Sequence, residues 1–134
     1  MTYWKPIFAV LVATGALAGP PKITCEPVEL SGVPGEPLRL ELAIETDHAV
    51  PVQLRIPAVS NLVLRTVEII PIQRMPDGRF IQKRIVIWQG VEAGNVTLTN
   101  LMIQAGSATQ LLPTIAITIN KVVPAAPPAM EEAE

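Results

Sequence analysis

Proline restricts the fold of this chain most, because fourteen prolines are spread along its 134 residues. A proline inside a helix removes a hydrogen bond and costs about 3 kcal/mol, so this dispersal argues against long helices. Hydrophobic residues make up 49% of the sequence, whereas aromatic residues make up only 4%. A core must therefore be built from valine, isoleucine and leucine, and the β-branched members of that set favour strands. The composition predicts an all-β domain.

Two stretches alternate in the manner of strands that bury one face. From Leu38 to Glu45, leucine and isoleucine alternate with Arg39, Glu41, Ala43 and Glu45, and a period of two places the leucines and Ile44 on one side. The stretch from Phe80 to Gly90 is the one around which we expect the domain to be organised. Its isoleucines are expected to face the core, and the residues between them to face outward. The expected core set is Ile81, Ile85 and Ile87, and the expected outer set is Gln82, Arg84 and Val86.

Further short strands are predicted between turns rich in glycine and proline. They are Ile23–Leu30, interrupted by Pro27, then Val52–Ile56, Asn61–Ile72, Asn95–Ile103 and Ile115–Ile119. Asn61–Ile72 alternates less cleanly, so we expect it to bend or to change sheets. The run from Met75 to Gly78 is a hairpin-turn signal that leads into the strand at Phe80. Seven or eight short strands without a helix predict a single immunoglobulin-like antiparallel β-sandwich over residues 23–121, without the Cys, Trp, Cys signature of antibody domains.

The first 18 residues have the pattern of a secretory signal peptide. Lys5 precedes an apolar run, and Ala16 and Ala18 fit the small-x-small rule, so cleavage is expected between Ala18 and Gly19. The apolar run is shorter than the roughly 20 residues that a membrane-spanning helix requires. Six residues separate Ala18 from Cys25, whereas a lipoprotein needs its cysteine directly after the small residues. We therefore expect a soluble exported protein, periplasmic or secreted in a bacterium, with no membrane span after cleavage.

The ends of the mature chain are expected to lie outside the sandwich. Residues 19–22, which include Pro20 and Pro21, form a short extended lead-in. Residues 122–134 have the proline, alanine and glutamate bias of a disordered tail.

Groups that would carry catalysis or bind a metal are scarce. The chain has one histidine, His48, and one cysteine, Cys25, which are far apart in sequence and form no ligand pair of recognisable spacing. A nucleophile and base set and a glycine-rich phosphate loop are both missing from the sequence. Cys25 is expected to act as a small buried hydrophobe, with a free thiol or an intermolecular link as the alternative. The sequence predicts no enzyme, no cofactor and no metal site.

Charge is nearly balanced overall but unevenly distributed. The formal net charge of −2 gives no general attraction to nucleic acid or to anionic lipid. Residues 23–47 carry six acids and one base, while residues 50–90 carry six bases and two acids. Opposite charges stabilise neighbouring strands, so we expect these two segments to lie side by side, with a ligand-binding patch as the alternative.

The order of turns and strands resembles a known family. The motifs are the Pro34–Pro37 turn followed by Leu-x-Leu-x-Leu-x-Ile, Gly78-Arg79-Phe80 leading into a basic and apolar strand, then Gly94, Thr97, Leu98, Ile103 and Gly106, and the final Ile-x-Ile-x-Ile. Over about residues 23–119 they resemble the N-terminal immunoglobulin-like module of the bacterial BatD-type oxygen-tolerance proteins. Proteins of that family are exported and are encoded alongside von Willebrand factor A-type partners. The resemblance implies a non-catalytic envelope module that binds another protein, with a von Willebrand A-type protein as the partner class.

Two functions remain open from the residues themselves. The first is protein contact through a sheet edge or a loop face, and its candidate residues are the bases Arg79, Lys83 and Arg84. The alternative for these bases is pairing with Glu41 or Glu45, which would blunt a sheet edge against aggregation. The second function is binding of a small ligand or a carbohydrate, for which exposed aromatic platforms would be needed.

Overall fold

The computed structural model describes residues 19–123, which contain ten β-strands and no helix. The strands are β1 (Lys22–Glu26), β2 (Glu29–Gly32), β3 (Pro37–Thr46), β4 (Val52–Arg55), β5 (Leu62–Arg74), β6 (Phe80–Gly90), β7 (Gly94–Leu98), β8 (Met102–Ala105), β9 (Ala108–Leu111) and β10 (Ile115–Ile119). This part of the chain therefore offers no helix that could cross a membrane. The predicted signal peptide and residues 124–134 of the predicted tail lie outside the described residues.

One layer is a four-stranded antiparallel sheet in the order β1-β3-β6-β5. Its centre is the pair β3 and β6, which are matched over ten residues from Pro37 opposite Gln89 to Thr46 opposite Phe80. β1 and β5 form the two edges. The alternation expected for β3 is confirmed, because its leucines and Ile44 are buried while Arg39 and Glu41 are exposed.

The other layer is built from the remaining six strands. β10 lies between β2, to which it is parallel, and β7, to which it is antiparallel. β8 lies between β4 and β9. The hairpins β7-β10 and β8-β9 share one register, because Leu98 pairs with Ile115 and Met102 with Leu111. The Leu112 amide also donates to the Leu101 carbonyl at 2.8 Å, which continues the same ladder between them. β7 and β8 thus form one arm of a long hairpin, and β9 and β10 form the other, each with a break in the middle. This hairpin joins the two three-stranded groups into one second layer.

These connections are those of an immunoglobulin-like β-sandwich, so the predicted fold class is confirmed. The chain enters along the first sheet in β1 and crosses at Pro27 to the second sheet, where β2 runs parallel to the last strand. The two sheets then correspond to the two layers of the constant-type immunoglobulin arrangement. The single strand predicted over Ile23–Leu30 is therefore two strands in different sheets. Asn61–Ile72 was expected to bend or to change sheets; β5 stays in one sheet and pairs with β6 from Leu62 to Arg74, with two register shifts along the way.

The core lies between the layers and is almost entirely aliphatic. β3 contributes four buried side chains and β10 contributes its three isoleucines, while Trp88 is the largest buried side chain among the described residues. The buried set is Leu38, Leu40, Leu42, Ile44, Val86, Trp88, Val96, Leu98, Leu101, Ile103, Ala105, Leu112, Ile115, Ile117 and Ile119. Burial of such side chains stabilises the fold by roughly 1.5–3 kcal/mol each.

The expected faces of β6 are reversed in the structure. Register pairs Trp88 with Leu38 and Val86 with Leu40, so these residues face the core. Partners in an antiparallel pair lie on the same face, and Gln82 and Arg84 therefore face inward with Ile44 and Leu42. An inward Trp88 and Val86 bury more apolar area between the two sheets than an inward Ile85 and Ile87 would.

The three isoleucines of β6 occupy the opposite, outer face of the first sheet. They lie beside the charged outer residues of β3, because Ile85 pairs with Glu41 and Ile87 with Arg39. Ile85 is nevertheless buried, although it does not belong to the core cluster. The prediction that Ile81, Ile85 and Ile87 face the core is wrong, since the alternation identified the strand but not its inner side.

Gly90 allows the two layers to approach each other at the end of β6. A Cβ atom added at Gly90 would collide with the Cδ1 atom of Ile119 and would lie 2.7 Å from its Cγ1 atom. Glycine is therefore required here because the backbone lies against a side chain of β10.

Candidate protein-contact surface

β5 exposes more large apolar side chains than any other strand of the described residues. Ten large hydrophobic residues are exposed between residues 19 and 123, and four of them lie on β5: Val63, Leu64, Ile69 and Ile72. We call these four residues the β5 surface. Ile69 is 66% exposed and Leu64 is 45% exposed. The four do not share one face, because Val63 pairs with Gln89 on the outer face and Leu64 with Trp88 on the inner face. Apolar exposure along an edge strand marks a binding surface or an aggregation hazard.

The position of β5 in the sheet explains this exposure. It is an edge strand that hydrogen-bonds to β6 on one side only. Leu64 pairs with Trp88 and Ile69 pairs with Arg84, so both share the inward face of the sheet. Trp88 and Arg84 are buried while their β5 partners are exposed. Leu62 and Val67 of β5 are partly buried and pack against the core, whereas Leu64 and Ile69 remain exposed beside it.

The edge of β5 also carries features that limit indiscriminate pairing. Its register with β6 shifts between Leu64 and Thr66 and again between Ile70 and Gln73, and Pro71 lies within the second shift. Bulges and prolines on an edge strand hinder open-ended strand addition. The segment between the shifts, Thr66–Ile70, keeps a regular register with β6. Open-ended strand addition along the whole of β5 is therefore hindered.

An apolar groove adjoins the β5 surface. It has a volume of about 200 Å³, and Trp88 and Leu64 line one side of it. The remaining lining residues are Leu62, the first residue of β5, and four from the segment between β4 and β5: Ile56, Pro57, Ala58 and Val59. Leu64 belongs both to the groove and to the β5 surface, so the two are continuous. A partner side chain that enters the groove would meet mainly apolar atoms.

The charges carried by β5 are mainly positive. Arg65 and Arg74 are exposed, and Glu68 is the one exposed acid of the strand. Among the described residues, neither arginine lies within 4.0 Å of a carboxylate. The Arg74 guanidinium instead lies 5.6 Å from the centre of the Phe80 ring. These two cations are available to acidic groups on a partner.

The three bases predicted as contact residues do not form one exposed patch. The Arg79 guanidinium lies 3.5 Å from the Asp47 carboxylate and donates to the Glu45 carbonyl at 3.3 Å. Lys83 lies on the outer face of the first sheet, with its Nζ atom 3.7 Å from Glu41. The pairing of bases with the acids of β3 and its following turn, expected from the uneven charge, is confirmed for these two residues.

Arg84 lies on the opposite face from Lys83. It is 7% exposed, so the expectation that it points outward is wrong. Its Nη1 atom donates to the Lys83 carbonyl at 3.0 Å, and burial lowers the pKa of its guanidinium. The Arg84 side chain is therefore a structural cation beside the core. The contact prediction stays open for Arg79 and Lys83.

His48 and Cys25, the residues best able to bind a metal or to take part in catalysis, occupy ordinary structural positions. His48 is exposed in the turn after β3, where its carbonyl accepts a hydrogen bond from the Thr46 hydroxyl at 2.6 Å. Cys25 is a half-buried free thiol that packs against the core, and burial raises its pKa, with a smaller contribution from Glu26. Residues 19–123 contain no group of three or more His, Cys, Asp or Glu side chains that could hold a metal ion.

The aromatic residues of this region provide little open ring surface. Trp88 is 2% exposed and belongs to the core. Phe80 is half-buried beside Arg74. A carbohydrate usually stacks on a flat exposed ring, so these two rings offer little support for carbohydrate binding.

Sequence reasoning did not find the β5 surface. The available signal was the apolar run over Asn61–Ile72 that failed to alternate. A fully buried strand and an exposed edge strand can both lack alternation. Position at the edge of the sheet, which depends on pairing with β6, decides between them.

Comparison with known proteins shows similarity to solved structures alone. No protein-family model matches the chain, and no curated protein matches it. Four chains of solved structures match. One is the BIgI domain of beta protein from S. agalactiae, in a structure bound to CEACAM1, at 14% sequence identity and a TM-score of 0.45. The match covers 78% of this chain and 100% of that chain. The function of this chain is therefore inferred from its own residues.

Proposed function

We propose that this protein is a non-catalytic exported envelope module that binds another protein through the β5 surface and the adjoining apolar groove. The observation that carries the proposal is the exposure of Leu64 and Ile69 on an edge strand whose neighbours Trp88 and Arg84 are buried. An apolar edge next to a groove suits an extended segment of a partner, which would lie along Thr66–Ile70 as an added strand. Arg65 and Arg74 favour a partner segment that also carries acidic residues.

The predicted export fits this role, because an exported protein would meet its partner in the cell envelope. The signal-peptide pattern of residues 1–18 points to the periplasm or the exterior of a bacterial cell. The resemblance to BatD-type modules adds a partner class, a von Willebrand factor A-type protein in the envelope. Arg79 and Lys83 would lie at the rim of such a contact, where charges act mainly on the association rate.

A pull-down from envelope extract with the immobilised mature chain tests the proposal. The variants Leu64→Glu and Ile69→Glu place an acid on the β5 surface. The matched control is Leu111→Glu, because Leu111 is 57% exposed on β9 of the other sheet. We expect a discrete protein that the wild type and Leu111→Glu retain and that both β5 variants lose. Equal recovery by all four proteins, or recovery of none, contradicts the proposal.

Intact mass of the exported protein tests the compartment separately. A chain that starts at Gly19 is expected. A mass that retains residues 1–18 would contradict export through signal cleavage.

A further inference from the structure

One end of the sandwich contains a groove of about 400 Å³ where the start of the described chain meets the turn after β3. Gly19, Pro20 and Pro21 line one side of this groove, and Asp47 and His48 line another. The turn between β8 and β9 completes it. The chain thus reaches the sandwich at Gly19, three residues before the first strand begins.

The contact at this point is made by the Asp47 carboxylate. The Gly19 nitrogen donates to the Asp47 Oδ2 atom at 2.9 Å. The other carboxylate oxygen, Oδ1, lies 3.5 Å from the Arg79 Nη1 atom. Arg79 is held in turn by the Glu45 carbonyl, to which its Nη2 atom donates at 3.3 Å. Asp47 is therefore fixed by one cation and directs its second oxygen at the Gly19 nitrogen.

We propose that Asp47 is a binding site for the α-ammonium group that cleavage between Ala18 and Gly19 creates. The inference rests on the signal cleavage in the proposed function and is independent of the β5 surface. Before cleavage, the Gly19 nitrogen is a neutral peptide amide with one hydrogen. After cleavage, the same nitrogen carries three hydrogens and a positive charge, and a charge-assisted hydrogen bond to a carboxylate is shorter and stronger than a neutral one.

The residues that follow Gly19 favour this arrangement. Pro20 and Pro21 have fixed φ angles, so the lead-in loses little conformational entropy when it lies in the groove. A one-residue extension would move the ammonium group by about 3.8 Å, the distance between consecutive Cα atoms. The site therefore distinguishes a chain that starts at Gly19 from one that starts a residue earlier.

The charged and titratable groups around this amine fix the expected dependence on pH. Asp47 contacts it directly, Arg79 lies on the other carboxylate oxygen of Asp47, and His48 lies exposed in the same turn. Pairing with a carboxylate favours the charged amine in the folded state. The stabilisation is therefore present below the range in which a free α-amine titrates and is lost as the pH rises through it.

Three forms of the mature chain with defined starts test the site. The first starts with a free Gly19, the second with an N-acetylated Gly19, and the third with Ala18. Acetylation keeps an N–H donor at Gly19 and removes the charge. We expect the free Gly19 form to have an unfolding equilibrium constant roughly two- to fivefold smaller than the other two, the range of an exposed ion pair. Urea unfolding near pH 6.5 measures it.

Two controls assign the difference to the ammonium–carboxylate pair. The advantage of the free form should disappear in Asp47→Asn, and also in the wild type at about pH 10, where an α-amine is neutral and a guanidinium remains charged. Equal unfolding constants for the three forms, or an advantage that persists at about pH 10, overturns the proposal. Each form is prepared with a chosen first residue, so this result does not depend on whether the cell cleaves the chain before Gly19.

Discussion

Arg84 faces Leu42 across the centre of the first sheet, on the side that packs against the core. Leu42 is fully buried and Arg84 is 7% exposed, so a guanidinium occupies a place beside aliphatic side chains. No carboxylate lies within 4.0 Å of it among the described residues. Its pKa is lowered by burial, which reflects the cost of removing this charge from water.

This position predicts that Arg84→Met preserves or raises the free energy of unfolding, because an apolar chain of similar length removes the desolvation cost. Arg84→Glu should lower it by about 2 kcal/mol or more, since it places an unpaired acid in the same site. Lys83→Met and Lys83→Glu on the exposed outer face are the controls and should change it by less than about 1 kcal/mol. Urea denaturation measures all four. A loss in Arg84→Met as large as that in Arg84→Glu would contradict this account.

The contact between Gly90 and Ile119 predicts a second effect on stability. Gly90→Ala should lower the free energy of unfolding by about 1–3 kcal/mol, the usual range for an overpacked core. Ile119→Val removes the Cδ1 atom that the new methyl group would meet. The double variant should therefore lose less stability than the two single variants added together.

Gly35→Ala is the matched control for this pair. Gly35 has a φ of +84° and no atom within 4 Å of an added Cβ, so its cost arises from the backbone alone. Ile119→Val should not reduce that cost. Additive losses for Gly90→Ala and Ile119→Val in thermal or urea unfolding would show that the two residues do not compete for space.

The raised pKa of the Cys25 thiol predicts slow alkylation of the native protein near neutral pH. The thiolate is the reactive form, and both burial and Glu26 disfavour it in the folded state. The rate with iodoacetamide should increase on unfolding in urea and should increase as the pH rises. Native and unfolded rates that agree at pH 7 would contradict the burial of this thiol.

Linkage gives a related expectation for stability. A thiol whose pKa is higher in the folded state adds stability that is present below its unfolded pKa and is lost as the pH rises above about 8.5. This loss should be absent in Cys25→Ala. An equal decline in both proteins between about pH 8 and pH 10 would assign it to other groups.

The fold class could be predicted from the sequence because the local signals of its segments agree. In β3, strict alternation identified both the strand and its buried side, since charged residues occupy every other position up to Glu41. The hairpin turn over Met75–Gly78 was also predictable, and the Gly78 amide donates to the Met75 carbonyl at 2.9 Å. These features depend on neighbouring residues alone.

The predictions that failed concern features that depend on pairing between distant segments. β6 has apolar side chains on both faces, so its inner side follows from its register with β3 and not from its own alternation. The role of Arg84 was misjudged for the same reason. The β5 surface arises because β5 has one neighbour in the sheet, which a local pattern does not record.

Site-specific photocrosslinking tests the protein-contact proposal most directly. A photoreactive residue is introduced at Ile69 on the β5 surface, or at the similarly exposed Leu111 on β9, in the full-length protein expressed in its native cells. We expect one discrete crosslinked protein from position 69 that is missing from position 111. Identical crosslinks at both positions, or no protein crosslinked from position 69, would contradict the proposal that β5 is the contact surface.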